Sequence, residues 1–539
     1  MRRPWAPRAA ACAIVVAVAL LLPVGVFSAP SSSLVAVAAM WSAPGNFNPV
    51  NADSQYGWYC IRLMFSTLLE ARLDNNRMQF LPELASRWEI GADRATFTFT
   101  INPRATWHDG QPVTADDVEF TVRTIADPRT KTNRGSDIAA IAGLDAKSKL
   151  APGAALGFRV LGPKKFEVKT RTPIDPNKFL ELFGANVYII PKHILGNVPP
   201  DQLDRQAFAQ RPTVGSGPFK FVQYRTDEYL ELAANHDFYL AAPRVQRVFV
   251  RIIPPAAMLA GLERGEVDMT AGFNIGEVDV TDWERVKTLP QVRAASFPAP
   301  GYQYMVINWK QPFFQDKRVR QALALAINRP LMASQLFRGE AVLADSPIAP
   351  SSPYFDKQVK PWAYDPGRAR ALLQEAGWDA NRTLLLRVPT GNVPRERSAD
   401  IIQQNLAAVG VKAQVQKSDF PTLISDLYAA KYDLALVGFT APSDPDVSSQ
   451  YRTAGQYNFS FHSIAQMDQL LDAGAATPDP AKRRTIYDQF QQLFADQLPV
   501  IILYYPNART AVAKRMVSVV TDAQGLYDFA SYRWTAGSQ

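Results

Sequence analysis

Cysteine is nearly missing from this sequence: Cys12 and Cys60 are the two found in 539 residues. Cys12 falls in an N-terminal stretch expected to be removed, so Cys60 would stand alone and no internal disulfide could close; stability has to come from size and packing. Histidine is scarce as well. His108, His193, His236 and His462 are far apart, none belongs to an HExxH or other close ligand pair, and none lies beside Cys60 to activate a thiolate. No metal and no cofactor are therefore expected. Long apolar runs are lacking beyond Leu22, where nothing approaches the roughly 18–20 residues that span a bilayer. Lys and Arg exceed Asp and Glu by 8, but no block of consecutive basic residues is longer than three, which argues against a nucleic-acid partner. A fixed-period repeat of the solenoid kind is missing too.

What is present begins with an export signal. Arg2, Arg3 and Arg8 precede an apolar run from Ala11 to Leu22, Pro23 interrupts it, and small residues follow at Ser28 and Ala29. Residues 1–29 read as a signal peptide, which places the mature chain in the periplasm or outside the cell. Cys12 lies at the start of the apolar run rather than after it, so it does not read as a lipid-attachment site. Without the three arginines the net charge falls from +8 to +5. The length exceeds what one hydrophobic core usually supports, and a 47% hydrophobic, 20% charged composition suits two or three globular lobes.

Periodicity then separates strands from helices. Leu34–Met40 is a buried strand running into Pro44, Gly45 and Asn46, and Ala95–Ile101 alternates threonine with Phe97 and Phe99 as a half-buried strand does. Thr114, Asp365 and Asp479 are helix N-caps, the last two followed by a first-turn proline. A helix runs from about Asp316 through Ile327, and Ser463 with Gln466 suggests a capping box. Apolar strands at Val248–Ile253, Leu384–Val388, Leu434–Val437 and Val500–Tyr504 alternate with these helices, which predicts α/β lobes. A helix leading through Asp268 into a strand has an echo in a helix leading through Asp433 into Leu434–Gly438. Such an echo fits two similar lobes presenting strand ends to a shared crevice. Val214–Pro218 resembles a nucleophile elbow but lacks its glycine spacing and reads as a turn.

Several segments in order carry a resemblance: Leu81–Trp88, Ala95–Phe99, Trp107–Val118, Pro191–Leu195, Val214–Phe219, Arg318–Ile327 and Tyr364–Pro366 with Leu372–Trp378. Together they resemble the family 5 extracellular solute-binding proteins of ABC importers, the oligopeptide-, dipeptide- and nickel-binding group. The resemblance implies an α/β, type II periplasmic-binding-protein-like fold. Domain I would comprise residues 30–72, 206–298 and 504–539, domain II the insertion 73–205, and domain III residues 299–503. It also implies a monomeric, non-catalytic receptor that encloses a peptide or peptide-like solute by hinge closure and delivers it to a membrane ABC permease. A non-peptide solute, such as an oligosaccharide, an opine-like conjugate or a metal chelate, is the alternative; a secreted hydrolase is a more distant one.

The same resemblance nominates the ligand-binding residues. Phe47-Asn48-Pro49 resembles the family's Leu-Asp-Pro, and Asp53, Gln55 and Tyr56 follow it in a loop that lines the cleft. Gly438 to Asp446 resembles the family's Gly-Trp-x-Ala-Asp segment, with Phe439 in the place of a cleft tryptophan. Pro442 stands where peptide-binding members carry the aspartate that meets a ligand ammonium, so either Asp444, Asp446 or Asp53 supplies that charge or the ligand has no free amine at that end. Trp88, Trp107, Asp109 and Gly110 are expected to build turns and core.

Overall fold

The computed structural model describes residues 35–52, 54–74, 77–272, 275–390, 392–440, 444–519 and 531–535. Its largest sheet is assembled around two sets of three parallel strands. In the first set Val35–Met40 lies between Arg247–Ile252 and Met269–Thr270; in the second, Thr383–Pro389 lies between Lys412–Ser418 and Leu434–Thr440. All six residues of Val35–Met40 are buried, as a parallel strand covered on both faces should be.

The aspartate echo proves to be one hydrogen-bonding device used twice. Asp268 N–H donates to Val37 O (2.8 Å), and Asp268 Oδ2 accepts from Val37 N–H (2.8 Å). Asp433 N–H donates to Leu385 O (3.1 Å), and Asp433 Oδ2 accepts from Leu385 N–H (2.8 Å). In each set the aspartate before the third strand pins the end of the central one, where a backbone N–H would otherwise lack a partner.

Antiparallel strands join the two sets. Gly301–Ile307 pairs with Leu434–Thr440, and Val500–Ala513 pairs along its first part with Gly301–Ile307 and along its second with Val292–Pro298 and Met269. The expected strand at Val500–Tyr504 thus continues nine residues further, to Ala513. Pro506, which has no N–H to give a ladder, sits where the pairing partner changes, and its carbonyl accepts from Ala299 N–H (3.3 Å).

A separate antiparallel sheet, ordered Ala85–Ile90, Thr96–Ile101, Lys165–Lys169, Phe158–Gly162, lies within residues 85–169. Phe97, Phe99 and Ile101 are buried on one face as the alternation predicts, each worth about 1.5–3 kcal/mol of transfer. Asp117 accepts from Thr114 N–H (2.8 Å) at the start of helix Ala115–Ala126. Helices Lys317–Ala326, Pro366–Glu375 and Pro480–Gln497 begin at Asp316, Asp365 and Asp479, whose carboxylates accept first-turn N–H groups. The helix after Ser463 differs from expectation. It spans Ala465–Ala476 with Ile464 at the N-cap, and Ser463 Oγ instead lies 3.4 Å from Thr453 Oγ1.

The turn reading of Val214–Pro218 holds for a packing reason. A Cβ on Gly215 would stand 2.1 Å from Met64 O, and one on Gly217 would stand 2.5 Å from Met64 C. Ser216 is buried, and its hydroxyl accepts from Ser66 N–H (3.1 Å).

Candidate functional site

Strand directions alone locate the crevice. Val500–Ala513 runs from the second half of the sheet into the first. Its antiparallel neighbours and their parallel partners then direct the carboxyl ends of both three-strand sets toward the level of residues 299–301 and 505–507. Gly301 pairs with Thr440 there, and Pro298 pairs with Asn507. Open α/β sheets bind ligands at such carboxyl ends.

On the second half this end carries Phe439, Gln303, Gly438 and Arg395. Phe439 is half-buried, its ring centroid 6.2 Å from Tyr302 and 6.4 Å from Tyr457. Tyr302 is anchored behind it by a 2.8 Å hydrogen bond between the hydroxyls of Tyr302 and Tyr451, both buried. Arg395 lies in the first turn of helix Val393–Ala408, and its Nε donates to Gln303 Oε1 (2.6 Å). On the first half, Trp41 follows the central strand and its indole N–H donates to Glu277 O (3.1 Å). Glu277 is itself buried beside Arg509 of the crossing strand (3.3 Å).

Gln55 and Tyr56 do not lie in a loop as the sequence suggested. They open helix Gln55–Met64, because Ser54 Oγ accepts from Gly57 N–H (3.0 Å) and starts the helix one residue before them. Gln55 is exposed; Tyr56 is half-buried against the first core, and burial pushes its phenol pKa up. Asp53 and Pro442 lie outside the described residues.

Asp444 and Asp446 belong to an ion network that the sequence did not disclose. Arg483, 1% exposed, grips Asp444 with Nη1 on Oδ2 (2.6 Å) and Nη2 on Oδ1 (2.8 Å), and reaches Asp175 Oδ2 at 3.2 Å. Lys178 donates to Asp446 Oδ2 (2.6 Å) and lies 3.7 Å from Asp444. Burial alone would raise the Asp446 pKa, but Lys178 and hydrogen bonds from Ser448 outweigh it and hold the carboxyl at about 2. Both acids are thus already paired with the chain's own cations, three aspartates against two. Asp175 and Lys178 follow the four-stranded sheet, so the network ties that region to the second half. Beside it lies a cavity of about 380 Å³ bounded by Asp175, Glu181, Tyr354, Asp444 and Arg483.

Sequence reasoning missed Asp175, Lys178, Arg483 and Arg395, since charged residues at helix starts look like a solvated face, and it missed Gln303 as one neutral polar residue within strand Gly301–Ile307. Arg483 does fall just after the Asp479-Pro480 helix start, which marked the element but not the partner. No group of three or more His, Cys, Asp or Glu among the described residues is placed to hold a metal.

Comparison with known proteins agrees with this geometry. The family described as bacterial extracellular solute-binding proteins, family 5 (middle), matches residues 79–461. The chain belongs to this family. It is 29% identical over 432 residues to the oligopeptide-binding protein AppA of Bacillus subtilis, covering 76% of this chain and 75% of that one. It is 24% identical to the dipeptide-binding protein of Escherichia coli over 90% of this chain and 92% of that one. Among solved structures, AppA from Bacillus subtilis in complex with a nonapeptide is similar with a TM-score of 0.76 at 25% identity, covering 93% and 99% of the two chains. The substrate-binding protein CtaP of Listeria monocytogenes reaches a TM-score of 0.81 at 24% identity, covering 94% and 99%, a likeness of fold. The fold is the α/β, type II periplasmic-binding-protein-like one, and the chain is a solute-binding protein of a family that acts outside the cytoplasm.

Proposed function

We propose that this chain is the receptor of an ABC importer for a peptide or peptide-like solute, which it encloses in the crevice and delivers to a membrane permease. The observation that carries the reading is the arrangement of two parallel three-strand sets aiming their carboxyl ends at one crevice. The names of the similar AppA and dipeptide-binding proteins support peptide as the ligand class. In this reading residues 299–503 form one ligand-holding lobe; residues 30–72, 206–298 and 504–539 form the other; and 73–205 is the insertion. Phe439, Gln55 and Tyr56 contact ligand, with Asp53 beside them. Asp444 and Asp446 stiffen the wall behind Phe439 instead of meeting an ammonium directly. Residues 1–29 are cleaved on export, so the mature chain starts near Pro30 and acts as a monomer.

Closure about the connections at 299–301 and 505–507 is the expected motion. Small-angle scattering of the exported protein should show the radius of gyration falling when a pool of short peptides is added. A radius unchanged at saturating ligand would overturn the closing receptor. Phe439→Ala should weaken binding by about 1–3 kcal/mol through lost packing, measured by calorimetry with a retained peptide; unchanged affinity would remove Phe439 from the site.

A further inference from the structure

The insertion belongs to one body of the fold by packing and touches the other by charge. With the first lobe it shares a single apolar core, in which Phe97, Phe179 and Ile189 join the same cluster as Ala36, Leu63 and Val250. The second lobe has cores of its own, around Leu386 and Leu436 on one face of its sheet and around Val437 and Phe490 on the other. When the lobes move about 299–301 and 505–507, the insertion therefore travels with the first lobe, and its contacts with the second must change. Those contacts are polar. Lys178 Nζ donates to Asp446 Oδ2 (2.6 Å) and lies 3.7 Å from Asp444 Oδ1, Arg483 Nη1 reaches Asp175 Oδ2 (3.2 Å), and Arg94 Nη1 donates to Pro478 O (2.9 Å). Apolar packing does not fill the seam around them. Beside them lie the cavity of about 380 Å³ that Asp175 and Arg483 bound and a second of about 420 Å³ bounded by Ile90, Arg94, Pro176 and Pro478. Polar interfaces between domains of one chain permit relative motion. Each side also keeps partners for its charges once parted: Arg483 retains both oxygens of Asp444, Asp175 Oδ1 retains Asn177 N–H (2.9 Å), and Asp446 Oδ1 retains Ser448 N–H (3.1 Å). Lys178 and Asp446, with side chains 15% and 20% exposed, already border water and are the pair that opening hydrates.

From this arrangement we infer that the insertion carries a latch, Lys178 on Asp446 with Asp175 on Arg483, that holds the two lobes closed by charge at an attachment apart from the joining strands. The latch rests on the reading of the chain as a closing receptor and adds which contacts set the balance between its open and closed forms. Because it pairs the chain's own groups, it acts with or without a solute in the crevice. It therefore favours the closed form before a solute arrives and slows release afterwards, and it weakens as salt screens the partly exposed pair.

Cys60 is buried, so cysteines introduced at exposed positions take dyes selectively, Lys165→Cys on the insertion and Gln374→Cys on the second lobe. Single-molecule energy transfer between them reads the open-to-closed ratio of the exported protein, with and without a pool of short peptides. Lys178→Met should raise that ratio at least about five-fold, toward the lower end of coupling within one charge network. Lys178→Arg should return it to near the wild-type value, and adding Asp446→Asn to Lys178→Met should change it no further. High salt should raise the ratio of the protein with Lys178 intact and leave that of Lys178→Met unchanged; the first half of this comparison holds even if the methionine variant fails to fold. A ratio that neither Lys178→Met nor salt shifts, in a protein that peptides still close, would overturn the latch and leave the receptor standing. A ratio that peptides do not shift either would overturn both.

Discussion

Arg483→Met is expected to lower the free energy of unfolding by about 3–5 kcal/mol, the loss that follows when one partner is removed from a buried ion pair. The side chain is 1% exposed and binds Asp444 in bidentate fashion. Its Nε also donates to Gly474 O (3.0 Å), and the rings of Tyr487 and Tyr354 lie 5.3 and 5.7 Å from its guanidinium carbon. Without it, Asp175, Asp444 and Asp446 share Lys178 alone. Urea unfolding of Arg483→Met, Asp444→Asn and the double variant gives the coupling; if the two losses simply add, the pair is not a unit. Removing both charges should cost less than removing the arginine, since no orphan carboxylate remains at position 444.

The second large effect is acid destabilisation through two histidines. His108 Nδ1 accepts from Gly215 N–H (3.0 Å) while its Nε2–H donates to Gly217 O (3.0 Å). His462 is enclosed with Nδ1 on Ser460 Oγ (2.6 Å) and Nε2 on Tyr451 O (2.9 Å), so the carbonyl takes the ring proton. Burial pushes both pKa values down to about 4. Because these folded-state values lie below the ordinary 6.5, the stability they carry is complete above pH 6.5 and is lost as pH falls toward 4. The loss amounts to about 3 kcal/mol for His462 and about 2 kcal/mol for His108, which is less fully buried. Glu83, raised to about 7, and Asp137, raised to about 6, both by burial, act in the opposite sense over part of that window. The comparison is therefore between variants. His462→Gln should reduce the slope of unfolding free energy against pH between 6.5 and 4 by about 1.4 kcal/mol per unit, one proton's worth. An imidazole at either position titrating near 6.5 in the folded protein would refute the assignment.

Legibility followed the range of the interactions. Strand Thr96–Ile101 and the helices capped by Asp365 and Asp479 were readable because alternation, caps and first-turn prolines act within a few residues. The full reach of Val500–Ala513 was hidden by Pro506, which reads as a strand stop and is tolerated where the strand changes partners. Gln55 and Tyr56 were placed in a loop because Ser54 is a weak signal until its hydroxyl is seen to cap Gly57. Asp444 and Asp446 stood out as acids near Phe439, yet their partners Arg483 and Lys178 lie 39 and 268 residues away, and no local pattern encodes such pairings. The paired aspartates Asp268 and Asp433 went the other way: a slight echo in sequence turned out to be the same hydrogen-bonded joint.

The strand that joins both halves also sets when they can fold. Val500–Ala513 is an interior member of the sheet, meeting Val306 through Val500 and Met269 through Val512, partners roughly two hundred residues earlier in the chain. Until it arrives, Gly301–Ile307 and Met269–Thr270 each expose an unpaired edge, and loop-closure entropy over those separations opposes every earlier substitute. Folding is therefore late and slow, governed by distant contacts and completed only when the last tenth of the chain is available. A chain whose sheet stays open until its C-terminal strand docks remains threadable for as long as that strand is withheld.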